Sequence, residues 1–361
     1  MNKCALFIPR PGDNYNMIFR GYVMALRAMG WRVYVEDPKT KLGCRSIIEN
    51  YGVSFIFTHS RYGIRQLPID VINKNCVTVF VDILPLNNNG LTIDGSYEMA
   101  HLDEPDVLDR IDSLVLHTKI EKHLWDSYFE VWMRDHHIIH VPAAADIINA
   151  LPDTCCSIVD MAMIANFANK QGVMKYVIEP LCRRIELLGY SYAGFGDDIW
   201  ARAGLSYQGN ISLCGNNFAN IYANAAVCPN VHTEQQVRLS AFINERSFMI
   251  PLCGGIQVSD NPLTGNYLSD SSEFASSITD YIGRVVKNIE CQNNRFDRIR
   301  SGVKHVANNH TYFNRLCDLF DASAFDGLCR EIKKFGNRKA FSHCAEMDAR
   351  INLETQGVTN E

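Results

Sequence analysis

Short apolar runs alternate with amphipathic stretches along almost the whole chain, and few folds accept that order. The runs at 3–8, 32–36, 54–59, 77–83, 113–118 and 136–141 are rich in β-branched or aromatic residues and read as strands. Between the first of them, 17–29 and 42–51 read as helices, stopped by Gly30 and Gly52 as helices commonly are. Strands joined through helices, not hairpins, call for right-handed crossovers and a parallel sheet. Val77-Thr78-Val79-Phe80-Val81 is almost continuously apolar, as a strand covered on both faces should be. The stretch 142–154 reads as a linker, and the alternation then restarts. Strands are predicted at 157–165, 190–195, 205–208, 225–231 and 255–259, with helices at 172–188, 217–224 and 234–247. Residues 273–320 read as mostly helical, and the polar tail beyond about 345 is expected to be loosely held. The expected fold class is α/β, with two Rossmann-like domains whose parallel sheets face a central cleft. Their bounds are 1–145 and 146–325, with 326–361 a helix or tail packing back on the first domain.

Composition narrows the class. The chain has 361 residues, 47% hydrophobic and 21% charged, which suits a soluble globular protein of two domains. No apolar stretch approaches the roughly 20 residues that span a bilayer, and the run at 3–8 is too short for a signal peptide. An intracellular, cytoplasmic protein without a membrane span is expected. The net charge of −5 does not announce a nucleic-acid binder, although a local basic face stays open. Thirteen cysteines without a Cys-x-x-Cys pair fit reduced, mostly buried thiols better than a disulfide framework or a zinc ribbon.

Ligands of open parallel sheets bind outside the carboxyl ends of the strands. That rule selects Arg10 and Asp13 after the first strand, His59 after the third, Asp82 at the end of the fourth, and His117 after the fifth. Asp13 or Asp82 suits a general base, and His117 a base or a hydroxyl-binding group; Arg10 and His59 are candidates for holding an acceptor. Each has a plainer role as a cap or turn residue, Asp13 above all within Pro-Gly-Asp-Asn. No Gly-x-Gly-x-x-Gly, phosphate loop or Gly-x-Ser-x-Gly elbow is present, which disfavours the usual dehydrogenases, kinases and hydrolases. His136, His137 and His140 invite a metal reading, but on a strand the outer two lie about 13 Å apart. No metal site is predicted.

The densest segment is 244–260, which reads as a helix end, a Cys-Gly-Gly turn and a strand. Glycines there suit close approach of a ligand to the backbone, and Arg246 suits phosphate; an ordinary turn with a solvated arginine is the plain alternative. The chain here resembles the spore maturation protein B-like glycosyltransferases of the two-Rossmann GT-B superfamily. The matching residues are Asn244, Arg246, Phe248, Ile250-Pro251, Cys253-Gly254-Gly255 and Asp260, then Ser272-Glu273-Phe274, and finally His310-Thr311-Tyr312 with Arg315. The likeness in motif covers about 220–320 and is one of architecture elsewhere. One position departs: the family's Glu, associated with the donor's ribose, is Met249 here. A thioether cannot accept a pair of hydroxyl hydrogen bonds as a carboxylate does. The resemblance therefore leaves open a donor held by Glu245 or Glu273, a changed donor, or lost activity.

The resemblance implies transfer of a sugar from a nucleotide-diphosphate sugar, a UDP-sugar first among them, to an acceptor hydroxyl. No further cofactor and no metal would be needed. Donor binding would fall to Asn244, Arg246, Cys253, Gly254, Gly255, Glu273 and one of Lys170 or Lys175. The acceptor would be a glycan or a hydroxymethylated base in DNA, as in bacterial-virus DNA modification. Two basic clusters keep DNA in view: Arg295, Arg298, Arg300, Lys304 and His305, and Arg330, Lys333, Lys334, Arg338 and Lys339. The alternatives are a sugar-nucleotide epimerase of the same fold and a catalytically silent nucleotide-sugar binding module.

Overall fold

A computed structural model describes residues 2–9, 16–36, 41–59, 67–83, 112–116, 137–156, 158–167, 171–211, 216–233, 236–237, 243–268, 272–321 and 326–358. The chain divides into two compact units. One comprises Met1–Ala143 with Arg315–Phe335, and the other Ala144–Asn314 with Gly336–Glu361. The last two segments of the chain are thus shared between the units.

The first unit is a six-stranded, wholly parallel sheet. Its strands are β1 (Cys4–Ile8), β2 (Arg32–Val35), β3 (Phe55–His59), β4 (Thr78–Ile83), β5 (Ser113–Leu116) and β6 (Ile138–His140), in the order β2-β1-β3-β4-β5-β6. The helices α1 (Asn16–Ala28), α2 (Lys41–Tyr51) and α3 (Ile69–Asn75) connect them. Because side chains alternate across a strand, the sheet has two distinct faces. Leu6, Ile56, Val79 and Val81 pack with Ile47, Ile48, Val71 and Ile72 of α2 and α3. Phe7, Phe55, Phe57 and Phe80 project the other way, against Phe19 and Tyr22 of α1 and Phe320 of a later helix.

The second unit carries β7 (Val159–Ala165), β8 (Tyr192–Gly196), β9 (Ala225–Asn230), β10 (Gln257–Ser259) and β11 (Ser272–Phe274) in the parallel order β11-β10-β9-β7-β8. A helical run follows β7: α4 (Gln171–Val173), a π-helical turn over Met174–Ile178, and α5 (Glu179–Leu187). The remaining helices are α6 (Ile199–Arg202), α7 (Asn217–Ala223), α8 (Arg246–Leu252), α9 (Thr264–Tyr267), α10 (Ile278–Glu290), α11 (Arg295–Asn309), α12 (Tyr312–Asp321) and α13 (Asp326–Val358). Ile178, Leu181, Ile185, Trp200, Tyr281 and Val285 cover one side of the sheet.

Three readings of the sequence need correction. The segment 205–208 is an isolated bridge, Gly194 to Tyr207, instead of a strand. The helix expected at 234–247 is in fact helical at 236–237 and then again from Arg246, as α8. That helix keeps Pro251 in its last turn. The carbonyl that a residue-251 N–H would have bonded belongs to Ser247, and the Gln257 amide donates to it at 3.2 Å instead. The polar tail beyond 345 is helix through Val358. Met347 and Ile351, at helical spacing, are buried with Cys155, Ala223, Ile256, Ile299 and Val303. Among the described residues, no helix is long and apolar enough to cross a membrane.

Candidate functional site

In the second sheet, β7 is flanked by β8 on one side and β9 on the other, so the strand order reverses between β7 and β9. Open α/β sheets bind ligands in the crevice that such a reversal leaves at the carboxyl ends. Arg246, the first residue of α8, spans this place. Its Nη1 donates to the Ile164 carbonyl of β7 at 2.7 Å, and its Nη2 to the Val231 carbonyl just past β9 at 2.8 Å. Burial lowers its pKa, while the phenol of Tyr222 and the carboxylate of Asp260 work in the opposite direction. A guanidinium stays charged regardless. Held by carbonyls, it gives the crevice a fixed positive charge, with N–H groups beyond the two already engaged.

A polar layer surrounds it. Asn230, the last residue of β9, donates from Nδ2 to Ser247 Oγ and Gln257 Oε1, both at 2.8 Å, and the same nitrogen lies 3.1 Å from Asn244 Oδ1. Asn244 returns a bond to Asn230 Oδ1 at 3.0 Å, and Ser247 donates through both its N–H and its hydroxyl to Asn244 Oδ1. His232 Nδ1 lies 2.7 Å from Asp260 Oδ1. Asp260, His232 and Ser247 thus follow one another in the manner of a hydrolytic triad. However, Ser247 is fully buried and its hydroxyl already donates to Asn244, so it is no nucleophile. Asn230, Ser247, Gln257 and His232 did not emerge from sequence reasoning. For Asn230 the signal was there, a polar residue that ends an otherwise apolar, fully buried strand.

The structure places the predicted donor residues unevenly. Asn244 and Arg246 lie together in the polar layer. The Cys-Gly-Gly segment does not offer itself to a ligand. Cys253 is fully buried, and burial pushes its thiol pKa well up. Gly254 has φ +87°, and a Cβ there would lie 2.8 Å from the Met347 methyl of α13. A Cβ on Gly255 would lie 2.7 Å from Ile250. These glycines admit protein, a helix and a backbone turn, where close approach of a diphosphate was expected. Glu273 on β11 is held by Arg298 at 2.9 Å, with Asn288 and Arg284 adding further bonds. Its carboxylate is therefore engaged away from Met249. Lys175 is exposed on the π-helical turn, its Nζ 5.4 Å from the Tyr176 ring. Lys170 lies outside the described residues.

Met249 is buried, and its Sδ accepts the Asp146 backbone N–H at 3.1 Å. Asp146 in turn accepts from Ile148 N and Asn149 Nδ2. Glu245 accepts the Tyr312 hydroxyl at 3.0 Å.

In the first unit, His59 and Asp82 are brought together. They are register partners at the carboxyl ends of β3 and β4, both fully buried on the phenyl face. Tyr22 feels the charges of Arg315 and Asp82, but burial dominates and raises its pKa far above the ordinary phenol value. Arg10, Asp13 and His117 lie outside the described residues, as does His136. His137 bonds Ser113 Oγ through Nδ1 at 2.8 Å.

Most of the first basic cluster is tied to neighbouring groups, while Lys304 is exposed. Arg295 donates to the carbonyls of Ala223, Ala225 and Ala226, Arg298 pairs with Glu273, and Arg300 pairs with Asp297 and Asp348. His305 Nε2 bonds the Tyr267 carbonyl at 2.8 Å. These bonds hold α11 to its neighbours, which corrects the expectation that the cluster meets phosphates.

Residues 174–321 match the model of a family described as glycosyl transferase-like, a span of less than half of the chain. No curated protein matches. Among solved structures, an α-glucosyltransferase in complex with UDP-glucose and DNA containing an abasic site is 8% identical, with a TM-score of 0.61. The match covers 88% of this chain and 98% of that one. The sucrose-phosphate synthase of Thermosynechococcus elongatus is 11% identical, with a TM-score of 0.59, over 91% of this chain and 99% of that one. BGT of T4 phage, in complex with its UDP-glucose substrate, is 11% identical with a TM-score of 0.52, over 91% and 99%. At such identities the likeness is one of fold. Two units built on parallel sheets, matched along nearly their whole length by these proteins, give this chain the fold of the GT-B glycosyltransferases.

Proposed function

We propose that the chain is a glycosyltransferase that moves a sugar from a nucleotide-diphosphate sugar, first of all a UDP-sugar, to an acceptor hydroxyl. One observation carries this reading: Arg246 fixes a half-buried positive charge between the ends of β7 and β9. A departing diphosphate gains negative charge as the glycosidic bond breaks, and a pre-placed cation in a shielded crevice stabilises that charge. Asn244 stands beside it, and Lys175 is the second basic candidate. With Arg246 in that role the reaction needs neither a metal nor another cofactor, so a chelator should leave transfer unchanged. The fold likeness to proteins solved with UDP-glucose supports the choice of donor.

The test is thermal unfolding with UDP, GDP, ADP and UDP-glucose. A ligand that binds only the folded state raises the midpoint. A rise with UDP and UDP-glucose is expected, much reduced in Arg246→Lys, which keeps the charge but not the two-carbonyl bridge. No rise with any nucleotide, from protein shown to be folded, overturns the donor site.

For the acceptor we favour DNA carrying hydroxymethylated bases over a glycan. Arg330, Lys334 and Arg338 are exposed on α13 at i, i+4 and i+8, one helix face. Binding to such DNA should weaken steeply with salt, and each of these residues changed to Ala should lower the salt slope by about one. Transfer to glycans alone, with no salt-dependent DNA binding, would favour the glycan. Met249 supports a second reading, a module that binds the donor without turnover. Release of UDP on incubation with acceptor decides between the two.

A further inference from the structure

The polar layer around Arg246 ends in a partly exposed carboxylate. Asp260 directly follows β10, and His232 lies just beyond β9; the strands are neighbours, with Ser259 opposite Asn230. The His232 backbone N–H lies 3.1 and 3.2 Å from the two carboxylate oxygens of Asp260, and the ring Nδ1 is 2.7 Å from Oδ1. The imidazole is wholly buried, whereas the Asp260 side chain is 23% exposed.

The tautomer follows from the other ring nitrogen. Nε2 faces the Asn244 backbone N–H at 3.4 Å. A backbone N–H only donates, so Nε2 carries the lone pair and Nδ1 carries the proton. His232 therefore donates to Asp260 through Nδ1, while Nε2 faces the Asn244 N–H and the Ser247 hydroxyl, both at 3.4 Å. Through Nδ1 it clamps Asp260.

A carboxylate offers about four acceptor sites. His232 occupies those facing inward, and the exposed edge of Asp260 is left to a donor from solvent or ligand. Arg246 holds the Val231 carbonyl at 2.8 Å, and the next residue's N–H, that of His232, holds this carboxylate at 3.1 Å. The crevice therefore sets a cation beside a rigid acceptor. A ligand that complements both carries an anionic group and, close to it, hydroxyl donors. A nucleotide sugar has that pairing, with a diol on either side of its diphosphate.

We propose that Asp260 is a specificity-determining residue that accepts a diol hydroxyl of the nucleotide sugar, and that His232 is its positioning residue. This assignment rests on the donor site proposed above.

The experiment is calorimetric titration of the full chain with UDP and with UDP-glucose, in the wild type, Asp260→Asn, His232→Leu and His232→Gln. A hydrogen bond to a charged group is worth about tenfold or more in affinity. Asp260→Asn is expected to weaken UDP-glucose by about that factor. If UDP is then unaffected, the hydroxyl belongs to the hexose; if UDP falls equally, it belongs to the ribose. His232→Leu should reproduce the loss, and adding Asp260→Asn to it should bring little more. His232→Gln, whose amide can still donate, should recover most of it, which a merely structural role would not predict. Wild-type binding of UDP-glucose that Asp260→Asn leaves intact overturns the assignment. A wild type that binds neither ligand is a different result: it removes the donor site and this assignment with it.

Discussion

Each of the two sheets is wholly parallel, yet a face of the first and the strand ends of the second are built from opposite materials. In the first unit Phe7, Phe19, Phe55, Phe57, Phe80 and Phe320 fill one face, with ring centroids 5.0–6.1 Å apart in tilted and edge-on pairs. In the second unit Asn230, Asn244, Ser247, Gln257 and Arg246 gather about the ends of β7 and β9, joined by directed hydrogen bonds. Aromatic packing is tolerant: it draws its energy from area, with modest preferences in angle. A buried polar layer is not, because each unmatched donor or acceptor costs its desolvation. The difference indicates where this chain commits itself to geometry. The first unit supplies a stable body ending in the His59–Asp82 pair, and the second a pre-organised crevice.

Substitutions can break this contrast. The largest loss is expected from Phe57→Ala, about 3–5 kcal/mol, because it empties the middle of the phenyl cluster. The informative comparison puts leucine in both layers. Phe80→Leu should cost about 1–1.5 kcal/mol, since the remaining rings can adjust. Asn230→Leu should cost about 2–4 kcal/mol, because it leaves groups of Gln257, Asn244 and Ser247 without their partner. Urea unfolding at one temperature measures all three. If Asn230→Leu proves no more costly than Phe80→Leu, the polar layer is not the rigid element described here. Gly254→Ala sharpens the same point, at about 1–2 kcal/mol for the left-handed backbone. Met347→Ala in the same chain should recover only the part due to the clash, as a double-mutant cycle would show.

Much of the fold was legible because period and punctuation agreed. The runs around Phe57, Val79 and Val227 became strands close to their predicted bounds, and Gly30 and Gly52 ended helices as expected. Two kinds of element escaped. Short ones with weak pattern, α3 after Pro68 and the polar edge strand β11, offered too few residues for a period to register. The end of α13 escaped because only a sparse set, Ala340, His343, Met347 and Ile351, faces inward among many polar residues. The site was legible in its chemistry more than in its contacts. Arg246 could be selected from a motif, but its hold on Ile164 and Val231 joins residues far apart in the chain. The Cys-Gly-Gly turn misled for a general reason. A glycine reports close approach without saying whether a ligand or a helix approaches, and here Met347 does.

The smallest expected effect concerns acid and lies at the far end of α8 from Arg246. His343 of α13 is buried, and its Nε2–H donates to the Leu252 carbonyl at 2.9 Å, capping the last turn of α8. Burial lowers its pKa below the ordinary 6.5, against smaller opposing contributions led by the Leu252 bond. The unfolded chain therefore binds this proton more readily than the folded one. Stability is full above about pH 6.5, and it declines as pH falls from there toward the depressed folded value. His343→Gln keeps a donor to Leu252 but has nothing to titrate. Urea midpoints between about pH 7.5 and about pH 5.5 should fall less for this variant than for the wild type. Equal slopes would mean that the acid sensitivity arises elsewhere. Because His343 secures the helix that begins with Arg246, a drop in UDP affinity over the same range, absent in His343→Gln, would link the cap to the crevice.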